Sequence, residues 1–116
     1  MEDYQKGIEK IKDLAKFFLE DLGEFAPFGM IRKNDEWIDL GSYNEDLDSL
    51  KMRALLMNSI KRDFESPGLT FGGVCVNASQ NEKDIIIIYN TSDGVEWYEL
   101  IYRITKVGNV ISFYDI

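Results

Sequence analysis

Histidine is absent from the 116 residues, cysteine occurs once and proline twice. The first absence removes the commonest general base near neutral pH and the usual transition-metal ligand. Ser-His-Asp and Cys-His arrangements are therefore excluded, and catalysis is not expected. The one cysteine, Cys75, cannot close an internal disulfide, which suits a reducing compartment. With no histidine to activate it, it reads as a small buried hydrophobe. Long apolar runs are missing too. The longest, Ile85-Ile86-Ile87-Ile88-Tyr89, is strand-sized, far from the roughly 20 residues that span a bilayer. The opening "MEDYQKGIEK" has mixed charge and no apolar signal core. These features point to a cytoplasmic protein. Positive charge is scarce as well: 13 Lys and Arg stand against 21 Asp and Glu, a net charge of −8. That argues against nucleic acid and against an anionic membrane surface.

Nucleotide-binding loops are also lacking. The "GG" at 72–73 lies within a strand pattern, without the Lys and Ser/Thr of a P-loop, and marks a bulge or a close backbone approach. Asn77, Ala78 and Ser79 match a glycosylation acceptor that has no meaning without secretion. "NEDLDS" at 44–49 lacks the central glycine and terminal glutamate of a calcium loop. No metal and no cofactor are expected.

What is present is the composition of a folded domain: 45% hydrophobic and 13% aromatic residues, in a length that fits a single domain over 1–116. Ile8, Ile11, Ala15, Phe18 and Leu22, broadened by Leu14 and Leu19, predict an amphipathic helix over about 3–22. Gly23 suits the left-handed position after a helix, and Pro27 blocks its resumption. Strands "FGMIRK" and "EWIDLG" flank a turn at Asn34 and Asp35. Leu47, Leu50, Ala54, Met57, Ile60 and Phe64 predict a second helix over about 45–65, with Asn44 as N-cap and Glu45, Asp46 and Asp48 in its first turn, where the helix dipole favours acids. Four further strands follow, "LTFGGVCVNAS", "DIIIIYN", "VEWYELIYRITK" and "VISFYDI", separated by polar or glycine-containing turns that favour an antiparallel meander. The non-alternating "IIII" predicts a central strand covered on both faces. The order α-β-β-α-β-β-β-β predicts an α+β fold, with two helices on one face of an antiparallel sheet of about six strands.

Between helix and sheet lies "GEFAPFGM". Phe25 and Phe28 are expected to pack the chain reversal. The segment Glu24, Phe25, Pro27, Phe28, Gly29 resembles the E-F-x-P-F-G/A segment of small, uncharacterised bacterial proteins, and Asp84 to Tyr89 is similar to a later strand of theirs. Some of those acidic proteins are thought to be immunity partners of polymorphic or contact-dependent toxins. The resemblance implies a bacterial cytosolic protein without known catalytic residues.

Two surfaces are candidate binding sites. Asp35, Glu36, Asp39, Glu45, Asp46 and Asp48 fall in a stretch without Lys or Arg. If short connections hold them together, they form an electrostatic footprint for a basic protein partner such as a toxin. The alternative is a sheet face of Trp97, Ile101 and Tyr114 that lines a small-ligand pocket or a homodimer contact.

Overall fold

The computed structural model describes residues 2–41 and 48–116. Helix α1 spans Glu2–Leu22, followed by β1 (Phe28–Lys33), β2 (Glu36–Gly41), α2 (Ser49–Asp63), β3 (Leu69–Gln80), β4 (Lys83–Thr91), β5 (Tyr98–Val107) and β6 (Val110–Asp115). All strands pair antiparallel in one sheet of order β2-β1-β3-β4-β5-β6. The α+β class, the element order and the six strands agree with the sequence.

The helices depart from the expected single face. Ile8, Ile11, Ala15 and Leu19 of α1 pack with Phe28, Met30, Phe71, Cys75, Ile86 and Ile88. Leu56 and Ile60 of α2 pack with Ile31, Val74, Val76 and Tyr89. Neighbours along a strand point to opposite faces, so the two sets lie on opposite sides of the sheet. Gly72 and Gly73 make the point in two residues. A Cβ on Gly72 would strike Ile60 of α2, and one on Gly73 would stand 2.6 Å from Ile11 Cδ1 of α1. The absent side chains allow both helices to approach β3 closely.

The second helix also differs from its predicted face and start. Its buried residues are Met52, Leu56 and Ile60, while Leu50, Leu55 and Ala54 are exposed. The observed stripe shares Ile60 with the expected one, and Met57 and Phe64 of the expected stripe are half-buried against the same cluster, so the helix is turned slightly toward Met52 and Leu56. Asp48 is the N-cap, its carboxylate accepting the Lys51 N–H at 2.8 Å, so no acid occupies the first turn. Asn44, Glu45, Asp46 and Leu47 lie outside the described residues.

The other aromatic and apolar expectations hold locally. Phe28 is buried and Phe25 half-buried, with Phe18 to Phe28 ring centroids 5.5 Å apart and Phe25 to Phe28 5.3 Å apart. "APFG" closes the reversal from α1 into β1. Leu22, included in the first helix stripe, is exposed at the helix end. In β4, Ile86 and Ile88 are fully buried under α1, whereas Ile87 on the other face is only half-buried because α2 lies over β1 and β3. No helix of the described residues is long and apolar enough to cross a membrane.

Candidate functional site

The described members of the acidic segment, Asp35, Glu36, Asp39 and Asp48, are spread rather than gathered, and Glu45 and Asp46 lie outside the described residues. Asn34 and Asp35 turn with φ of 50° and 64°, the left-handed pair of a tight hairpin turn, and Asn34 N–H donates to Gly68 O at 3.0 Å. This anchors the hairpin tip beside the chain leaving the C-terminal end of α2. Asp35 and Glu36 are exposed there. Asp39 lies on the α1 side of β2, in a shallow recess with Lys10, Phe17 and Trp37. Asp48 begins α2, a 15-residue helix and so about 22 Å from its other end. Asp35 and Glu36 therefore sit at one end of α2 and Asp48 at the other. Asp48 also has a local task as a cap.

The alternative residues share the α2 side of the sheet. Trp97 is half-buried against the cluster containing Tyr89 and Val76. Ile101 is half-buried opposite Ile87, and Tyr114 is 57% exposed opposite Arg103. They form an open surface, not an enclosed pocket. Since α2 covers β1 and β3, no helix among the described residues packs over this side of β5 and β6.

A groove of about 860 Å³ lies between the N-terminal half of α1 and the ends of β5 and β6. Its lining includes Ile8, Leu100 and Tyr102, with Glu9 of α1 and Asp115 of β6 on the α1 side of the sheet and Glu99 of β5, whose side chain alternates to the α2 side, at the rim. Tyr4 adds a second aromatic ring. Burial, and then the neighbouring Asp115, Tyr4 and Glu9, push the Tyr102 hydroxyl above its ordinary value. Lys12 lies 4.6 Å from the centroid of the Tyr102 ring and 4.0 Å from Glu9. Neither Glu99 nor Asp115 makes an ion pair or side-chain hydrogen bond with another described residue. Negative charge beside aromatic faces and an apolar floor is the chemistry that receives an ammonium or guanidinium group.

Sequence reasoning missed this groove. Glu99 was visible only as a polar member of a mixed strand face, and Glu9 as one charge on a solvated helix. The available signal was the acid in the last two strands, Glu99 and Asp115, against their aromatic background.

The other polar constellations are structural. Asp93 accepts Val95 N–H at 2.8 Å and Glu96 N–H at 2.9 Å, and Thr91 Oγ1 accepts Gly94 N–H at 2.8 Å. These bonds shape the β4–β5 turn and, with the Glu96 amide first, lower the Asp93 carboxyl below its usual range. Burial alone pushes the Cys75 thiol far up, which keeps it protonated and unreactive. No group of three or more metal-ligating side chains converges among the described residues.

Comparison with protein-family models, with curated proteins and with solved structures returned no match.

Proposed function

We propose that the protein is a non-catalytic binding protein whose partner is a basic protein, and that its biological form is an immunity or antitoxin-like role in the bacterial cytosol against a basic toxin. The observation that carries this reading is the groove beside α1, whose lining includes Glu9, Glu99 and Asp115 together with Tyr4 and Tyr102. The net charge of −8 supports it through long-range steering. The resemblance of Glu24 to Gly29 to segments of small bacterial proteins supplies the toxin–immunity form.

A second reading, a homodimeric module, is favoured by the uncovered β5–β6 surface. Val107, Val110 and Tyr114 are 79%, 56% and 57% exposed there. The two readings separate in one experiment. The chain is co-expressed with the product of the adjacent upstream reading frame and passed over a sizing column at low and high salt. A basic partner that co-elutes at low salt and dissociates as salt rises supports the first reading. A salt-resistant dimer of this chain alone supports the second and removes the first.

A further inference from the structure

Helix α2 is basic on an acidic chain. Between Ser49 and Asp63 it carries Lys51, Arg53, Lys61 and Arg62 against Asp63 alone, within a net charge of −8. Arg53, Met57 and Lys61 recur at i, i+4 spacing and so share a flank. That flank faces β4, because Arg53 Nη1 donates to the Tyr89 hydroxyl at 2.9 Å and the guanidinium carbon lies 5.0 Å from the centroid of the Tyr89 ring. Arg53 is half-buried and forms no ion pair among the described residues, and its buried Nε has no hydrogen-bond partner among them. A half-buried guanidinium without a carboxylate is relieved by an incoming anion that completes its hydrogen bonds.

The sheet beside this flank has room for one more helix. Helix α2 packs on β1 and β3. Strands lie about 4.8 Å apart and helices pack side by side at about 8–10 Å. The next helix position on this side is therefore two strands over, between β4 and β5. Ile87 and Ile101 are register partners at that place, both half-buried, with half-buried Trp97 on the same side. Alternation along β4 and β5 adds Lys83, Glu99 and Arg103 to this side. With Arg53 and Lys61 on the flank of α2, cations outnumber the one acid.

We infer that the strip between α2 and β5 is a docking site for an acidic, amphipathic helix of a protein partner. The apolar stripe of that helix covers Ile87, Ile101 and Trp97, and carboxylates on its flanks meet Arg53 and Lys61 of α2 and Arg103 of β5. An apolar helix face supplies the affinity and the flanking charges supply the selection. Charge decides the occupant, since a basic helix would meet the same cations. The described helices of this chain offer no such segment to a second copy: α2 is itself basic, and the apolar stripe of α1 is already buried in the core. The groove beside α1 lies across the sheet, so the two sites do not compete.

The test uses the full chain, labelled with ¹⁵N, and a blocked helix-forming peptide with one leucine stripe flanked by glutamates on an alanine background. The controls are the same peptide with lysine in place of glutamate and a version with a central proline that breaks the helix. Amide shifts from the glutamate peptide are expected at Ile87, Trp97 and Ile101. They should fade as salt rises, vanish with the proline peptide and be absent with the lysine peptide. Arg53→Gln should weaken binding about threefold, the worth of one partly exposed charge contact. Arg103→Gln, at an exposed position away from the core, should do the same, and it keeps the test valid if loss of the Tyr89 contact unsettles the first variant. No shifts at low salt, or shifts confined to Tyr4, Glu9 and Tyr102, would overturn the site. Equal binding of the lysine peptide would refute an acidic occupant, and equal binding of the proline peptide would refute a helix. A wild-type dimer in sedimentation that dissociates on Ile101→Glu substitution would assign the strip to a second copy and refute the partner.

Discussion

Replacing Gly72 by alanine puts a methyl group where Ile60 of α2 already stands, and Phe64 Cε2 would lie 3.4 Å away on another side. The obstructing atom is Cγ2 of a β-branched residue, whose χ1 is stiff in a helix, so relief requires α2 itself to shift. Overpacking of this kind costs about 1–3 kcal/mol. Removing a glycine from a strand returns roughly 0.5–1 kcal/mol of backbone entropy. The net expectation is a loss of about 1–2 kcal/mol, or roughly 3–8 °C in Tm for a domain of this size. At Gly73 the nearest obstacle is Ile11 Cδ1 at 2.6 Å, the far end of a side chain that can rotate, with Phe71 Cζ at 3.2 Å. Gly73→Ala should therefore cost less, about 0–1 kcal/mol. Urea denaturation of double-mutant cycles with Ile60→Ala and Ile11→Ala reads the geometry directly. Gly72→Ala should couple favourably with Ile60→Ala and be additive with Ile11→Ala, and Gly73→Ala should do the reverse. Coupling of Gly72 to Ile11, or of both glycines to the same helix, would refute the placement of α1 and α2 on opposite faces.

Phe28→Ala should lower stability by about 3–5 kcal/mol, the range for emptying a packed aromatic site; a variant that keeps its full Tm but loses a partner would make "APFG" a recognition loop. The lowered Asp93 carboxyl implies stability that is present above the ordinary aspartate range and is lost as pH falls through the still lower folded-state value. Asp93→Ala should be less stable than wild type at neutral pH, and the difference should shrink in acid when Tm is followed against pH. Tyr102, raised in the folded state, holds its contribution below its unfolded pKa and loses it as pH rises through the folded one; Tyr102→Phe should flatten the alkaline limb of the same profile. Charge reversal at Asp35, Glu36 and Asp39 should leave stability nearly unchanged and slow partner association several-fold at low salt by steering alone. Stopped-flow rates that match wild type at every ionic strength would make this hairpin a solvated surface only. Cys75 should resist thiol reagents in the native protein and react only on unfolding, as a colorimetric thiol titration would show.

Much of the framework was legible because local chemistry and global fold agree. Gly23, at φ 82°, and Pro27 end the first helix where their backbone preferences require. The meander follows its turn residues strand by strand. The second helix was less legible, since Asn44 and Asp48 are both competent caps and two apolar stripes compete along 47–64. Both contain Ile60, and packing on the sheet buries Met52 and Leu56 while leaving Met57 and Phe64 half-buried. The two-sided sheet was present in the sequence as an unused inference. A run such as "IIII", covered on both faces, requires something on each side, and with two helices available that means one apiece. Ile87, half-buried beyond the reach of α2, shows how far that cover extends. In the acidic segment, closeness in sequence is not closeness in space for the described members, since α2 carries Asp48 away from the hairpin tip. The groove, conversely, joins Glu9, Glu99 and Asp115 from positions 90 or more residues apart at the extremes, which no local window contains.

The most direct test of a basic partner received at the groove beside α1 is hydrogen exchange of the chain with and without the protein that co-elutes with it. The account predicts new protection in the N-terminal half of α1 and in the ends of β5 and β6 that line the groove, and that this protection disappears as salt rises. Protection confined to the α2 surface or the β1–β2 hairpin, or protection indifferent to salt, would contradict it.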